Sequence, residues 1–153
     1  MASRKSHSGG TIQVGTHLVQ HWCRRQPVIA LSSGEAELYS AVCGLTRAIG
    51  LLNVGRELRG EEWGSPVVHE VDATACKSIL LRKGAGGVKH IETKNLWVQE
   101  AVSKKNIQVK KIMRDVNATD TLASYSTTKV IQRHLDILNC ELRDVMGGEI
   151  RRG

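Results

Sequence analysis

The stretch that decides the fold is Ser33-Gly-Glu-Ala-Glu-Leu-Tyr-Ser-Ala-Val-Cys-Gly-Leu-Thr-Arg-Ala-Ile-Gly-Leu-Leu-Asn-Val-Gly-Arg-Glu-Leu58. Within it Leu38, Val42, Leu45, Ile49 and Leu52 recur at steps of three and four residues, which sets them on one face of a long helix. Ser32-Ser-Gly-Glu35 resembles a capping box and marks the helix start. Arg59-Gly60 ends it.

Upstream, Thr11-Ile-Gln-Val-Gly-Thr16 and His17-Leu-Val-Gln-His-Trp22 each interleave β-branched or aromatic residues with polar ones. Gly15-Thr16 supplies a turn, so a β-hairpin is predicted there. Val28-Ile-Ala-Leu31 is a short apolar run that extends the sheet or leads into the helix. Downstream, Pro66-Val-Val-His-Glu-Val71 reads as a short strand ending at Asp72, followed by a short helix over Ala73 to Leu81. Gly84-Ala-Gly-Gly87 reads as a flexible basic loop, and Glu92 to Lys105 as an amphipathic helix. Ile107-Gln-Val-Lys-Lys-Ile112 alternates as a strand does. Thr119 to Ala123 opens a helical turn, and Thr127 to Leu142 is helical by its Val130, Ile131, Leu135 and Leu138 pattern. The fold class expected is α/β, in one domain over residues 1–142 with a flexible tail over 143–153.

The chain has 153 residues, enough to bury a real core, and no Phe, so aliphatic residues and three Trp must fill it. Lys and Arg outnumber Asp and Glu 22 to 15, a formal charge of +7 carried mostly in short clusters. Such a field draws polyanions, although a solvated surface tuned for solubility accounts for the charge equally well. Cys23, Cys43, Cys76 and Cys140 are too widely spaced for a zinc module, and Cys43 falls where a buried thiol is expected. The polar start of the chain does not read as a signal peptide. No uninterrupted apolar run approaches the roughly 20 residues of a membrane span. An intracellular protein without a membrane partner is therefore expected.

Three carboxylates stand where chemistry could use them. Glu37 lies in the first turns of the long helix, Asp72 follows a strand, and Asp120 opens a short helix after Asn117. Rigid elements aim such side chains, and hard cations such as Mg²⁺ take oxygen ligands. Taken singly, a helix-start acid is more often a partner of the helix dipole than a ligand.

The words around these acids are more specific. They are Ala30-Leu-Ser-Ser-Gly-Glu-Ala-Glu-Leu-Tyr39, Glu70-Val-Asp-Ala73 and Asn117-Ala-Thr-Asp-Thr-Leu-Ala123. In this order they strongly resemble the ribonuclease H domain of copia-type retrotransposon Pol polyproteins. Arg4-Lys-Ser-His-Ser-Gly-Gly10, Trp22 followed by Gln26, and Lys89-His-Ile-Glu92 are similar to further segments of that family. The resemblance runs from about residue 3 to about residue 125.

The resemblance implies a ribonuclease H-like mixed sheet flanked by helices, cleaving the RNA strand of RNA–DNA hybrids. It implies Glu37, Asp72 and Asp120 as catalytic metal ligands of a two-ion Mg²⁺ site. By charge, Arg82, Lys83, Lys89 and Lys94, with His90 beside them, are candidate nucleic-acid contacts, and the resemblance points to the upstream reverse transcriptase region as a covalent partner. The implied setting is a cytoplasmic virus-like particle or the nucleus.

One part of the family pattern is missing. Its first catalytic Asp lies on a strand just before the Arg-Lys-Ser segment, and here no acid precedes Glu35. The expectation is a first strand absent from this chain, an incomplete metal site and weak or no cleavage. The alternative is a catalytically silent nucleic-acid-binding remnant. Ala73 also replaces the usual serine after Asp72, and Arg114 and Asp115 stand where cellular relatives carry a histidine.

Overall fold

The computed structural model describes residues 5–64, 66–83, 97–104, 107–113, 116–120 and 126–141. It is a mixed α/β structure with two small sheets and four helices among these residues. Strand β1 (His7–Val14) pairs antiparallel with β2 (His17–Arg25). Gly15 has φ 61 between them, and no other hairpin residue has positive φ. That is the sign pattern of a two-residue II′ turn, whose first central position favours glycine. The register slips once between Ile12 and Gln13. The strands extend beyond the predicted hairpin at both open ends, because Ser8-Gly9-Gly10 joins the ladder opposite Arg24-Cys23-Trp22. Val28 to Leu31 forms no strand, and Ile29 and Leu31 stay exposed.

Helix α1 (Ser33–Arg59) matches its predicted span almost to the residue. The Ser32 hydroxyl accepts the Glu35 N–H at 3.1 Å. The Glu35 carboxylate passes over the serine and accepts instead from the Leu31 N–H and the Tyr39 hydroxyl, both at 2.7 Å. The box is thus shifted by one residue, and a buried acid is satisfied by two donors. Ser32→Ala is expected to cost about 1 kcal/mol in a denaturant titration. No loss would show that the Glu35 contacts alone hold the helix start.

Strand β3 (Val67–Val71) pairs parallel with β4 (Ile107–Lys111), in register from Val67 with Ile107 to Val71 with Lys111. Helices α2 (Thr74–Leu81) and α3 (Trp97–Lys104) provide the crossover between them. The Gln99 amide, itself buried, donates to the Ile79 carbonyl at 2.8 Å and ties these helices together. Helix α4 (Thr128–Ile137) is shorter than the predicted 127–142. It stops because Leu138 caps it and Asn139 turns left-handed at φ 53, a conformation asparagine tolerates at a helix end. Predicted helix residues 92–96 and 105, the loop 84–87 and the tail 143–153 lie outside the described residues.

The core joins Leu38, Ala41 and Leu45 of α1 to Val71 of β3, Cys76, Ile79 and Leu80 of α2, Val98 and Val102 of α3, and Ile107 and Val109 of β4. Cys76 is the buried thiol; Cys43, expected in that role, is only half-buried. By length and composition α1 could also cross a membrane. A soluble core helix passes the same test, and Leu38, Leu45 and Leu52 of α1 are buried within the fold.

The strand directions follow from their contacts with α1. The buried Gln26 amide bridges Ser8 and the Ala36 carbonyl, Ser40 donates to the Gly9 carbonyl, and Trp22, which covers Gly10, reaches Gly44 and Arg47. Strand β1 therefore runs along α1 in the same direction. On the other side Gly64 meets Leu52 and His69 meets Gly44, so β3 runs the opposite way. The two strands are antiparallel to each other and do not pair, although the resemblance implies one continuous sheet.

Candidate functional site

A groove of about 560 Å³ separates the two sheets. Residues Gly9 to Gly15 line one bank and Pro66 to Asp72 the other. Its floor is α1, through Glu37, Ser40, Ala41, Gly44, Ala48, Leu51 and Leu52. Among the described residues no Lys or Arg lines it, although the chain carries a net +7.

Glu37 and Asp72 both line this groove. Helix periodicity turns Glu37 outward while Glu35, two residues earlier, is buried as a capping group. Asp72 is placed by the end of β3, just after the buried Val71. Both carboxylates act on the Cys76 thiol, which burial first, then Glu37 and then Asp72, pushes up to about 12. That shared effect puts both acids, 35 positions apart in sequence, in the neighbourhood of the Cys76 thiol. The thiol stays protonated at neutral pH and is a poor nucleophile there.

Asp120 is brought near by a different route. Asn117 donates to Asp72 Oδ2 at 3.4 Å, its own Oδ1 accepts from the Thr119 N–H and hydroxyl, and the Asp120 N–H bonds back to the Asn117 carbonyl. Asn117, Ala118 and Thr119 line the groove, but Asp120 does not. Among the described residues no three His, Cys, Asp or Glu side chains are grouped to hold a metal ion. Glu37 and Asp72 offer the hard oxygen donors Mg²⁺ prefers. Of the three expected ligands, Glu37 and Asp72 line the groove and Asp120 does not, so the donor set among the described residues falls short of a two-ion centre.

Of the basic residues expected to touch nucleic acid, Arg82 is half-buried at the end of α2 and Lys83 is exposed beside it. Lys89, His90 and Lys94 lie outside the described residues.

Two groove residues were not among the site residues expected from the sequence. Trp22 Nε1 and His69 Nε2 are buried with no hydrogen-bond partner among the described residues, and both rings lie against Gly44. Burial lowers the His69 pKa to about 4, so the ring is neutral at physiological pH. Alternation within β3 carries the signal that finds it, because His69 shares the inward side with Val67 and Val71.

Comparison with protein-family models, curated proteins and solved structures finds no match.

Proposed function

We propose that this chain is a ribonuclease H-like domain of a retrotransposon Pol polyprotein. In the intact element it cleaves the RNA strand of RNA–DNA hybrids with Mg²⁺. The observation that carries this reading is that Glu37 and Asp72 line one groove, with Asn117 bonded to both Asp72 and the Asp120 N–H. An Asp-bearing strand between β1 and β3 would bring a further carboxylate to the same groove. Bound metal would supply charge stabilisation at the cleaved phosphodiester. The chain's own part is to hold Glu37 on a capped helix and Asp72 at a strand end. The reading carries with it an upstream reverse transcriptase region as covalent neighbour and a cytoplasmic virus-like particle or the nucleus as location.

The test uses the chain as it stands and the chain extended at its N-terminus by an Asp-bearing strand, each incubated with a labelled RNA–DNA hybrid and Mg²⁺. The extended form should cut the RNA strand, and Glu37→Gln in that form should lower cutting by more than about 100-fold, since loss of a supporting partner alone costs 10–100-fold. An extended form that does not cut, or a Glu37→Gln form that cuts equally well, overturns the reading.

The net charge of +7 favours a second reading, a catalytically silent binder of duplex nucleic acid. Its affinity would fall with salt by about 0.9 in log–log slope for each phosphate neutralised on B-form DNA. A flat salt response removes it.

A further inference from the structure

The β1–β2 hairpin turns a basic face away from α1. Ser8, Gly10 and Trp22 are buried on the α1 side, Ser8 through the Gln26 bridge and Trp22 against Gly44. Strand alternation therefore turns His7, Gly9 and Thr11 of β1, and His21, Cys23 and Arg25 of β2, to the other side. In the ladder His7 stands opposite Arg25, Gly9 opposite Cys23 and Thr11 opposite His21. His7, His21, Cys23 and Arg25 are exposed. Three exposed donors thus surround a low centre of glycine and cysteine, over a span of about 13 Å along the strands. The charge of the region is one-sided. Residues 1–34 hold four Lys or Arg and no Asp or Glu, more than half of the net +7 in less than a quarter of the chain. Arg24 is exposed beside Arg25, and neither has an ion-pair partner among the described residues. Trp22 is the hairpin's one Trp, Tyr or Phe and it is buried, so the outer face offers no indole or phenol ring for a base to stack on.

We propose that this outer face holds the phosphate backbone of a nucleic-acid duplex, with Arg24 and Arg25 as its anchor. Guanidinium groups grip phosphate oxygens through two parallel hydrogen bonds, and the imidazoles of His7 and His21 add donors along the patch. The low centre at Gly9 and Cys23 lets a sugar–phosphate ridge come close to the strand backbone. Contacts of this kind position a duplex without reading its bases, so binding is independent of sequence. The absence of a stacking ring on the face favours a duplex over a single strand. The anchors stand on β2, of which Trp22 alone lines the groove among the described residues. The proposal rests on the reading of the chain as a binder of duplex nucleic acid and requires no cleavage.

The experiment titrates the full chain, in EDTA, into a short fluorescent DNA duplex over a range of salt concentrations. Saturable binding that weakens with salt is expected by anisotropy. Arg24→Gln with Arg25→Gln should weaken it by about tenfold, the loss of two exposed ion pairs. The same variant should lower the log–log salt slope by about 2, at about 0.9 for each phosphate contact on B-form DNA. Lys110→Gln with Lys129→Gln removes the same charge at exposed positions elsewhere and should have less than half of either effect. Alkylation followed by peptide mapping gives a second readout on the unaltered chain. The exposed Cys23 thiol, at the centre of the covered patch, should lose its labelling at saturating duplex and regain it at high salt, with half-buried Cys140 as the internal reference. Equal losses in the two double variants, or Cys23 labelled equally with and without duplex, overturn the proposal and leave a duplex binder whose surface lies elsewhere. No saturable binding removes the proposal and the binding reading together. Tighter binding of the matching single strand than of the duplex also overturns it. Cleavage of a hybrid by the strand-extended chain tests the nuclease reading separately, since every measurement here is made without metal.

Discussion

Leu45→Ala should lower the stability of the chain by about 3–5 kcal/mol, the cost of a fully buried leucine whose surroundings collapse only in part. Leu45 has no exposed surface and lies in the cluster where α1 meets α2, α3, β3 and β4. A domain of this size is stable by about 5–15 kcal/mol, so one substitution would remove a large fraction of the whole. The melting temperature should drop by roughly 10 °C. Leu58→Ala on the same helix is the control. Leu58 is 78% exposed and should change stability by less than about 0.5 kcal/mol. Thermal and urea unfolding followed by circular dichroism compare the two. Equal effects at Leu45 and Leu58 would mean that α1 is not anchored by the face described.

The second large effect is a loss of stability in mild acid that traces to His69. Burial against α1 lowers its pKa from 6.5 in the unfolded chain to about 4 in the folded one. Below pH 6.5 the unfolded chain gains a proton at this ring that the folded chain refuses. The stabilising contribution is therefore complete above pH 6.5 and declines as pH falls through the window to 4. Below that it levels off, after a total loss of about 3 kcal/mol. Carboxylates titrate in part of the same range, so the informative quantity is the difference between the parent chain and His69→Phe. Phenylalanine keeps an aromatic ring beside Gly44 and cannot protonate. Unfolding free energies from pH 7.5 to 4 should converge on the acid side, the parent losing about 3 kcal/mol more than the variant. Parallel curves would show that His69 is solvated and that the groove floor is open.

Much of this architecture is local and therefore legible in sequence. Helix α1 was readable because its leucine spacing and Ser32 cap specify it without reference to the rest of the chain. The Gly15-Thr16 turn and the alternation in β3 and β4 are local in the same sense. Where local reading failed, a tertiary contact or an unreadable backbone preference decided. Val28 to Leu31 could extend the sheet or lead into the helix by sequence alone; Gln26, bonded to Ser6, Ser8 and Ala36, closes the ladder, and the run leads into α1 outside the sheet. Cys43 lies on α1 beside the apolar stripe, and only the position of α2 made Cys76 the buried thiol instead.

The site divides in the same way. Sequence by itself determined that Glu37 and Asp72 would sit at element ends, since helix capping and strand termination act over a few residues. It also determined the excess of positive charge. Only the tertiary structure decided that those two acids line one groove near Cys76, that Asn117 ties Asp72 to the Asp120 backbone, and that among the described residues no Lys or Arg lines that groove. It alone decided that β1 and β3 face each other unpaired across α1. The reason is physical: hydrogen bonds within a helix or hairpin are set by neighbours in the chain, whereas the relative placement of two sheets depends on which distant side chains share the helix between them. Here those are Trp22 and His69, packed against the same glycine.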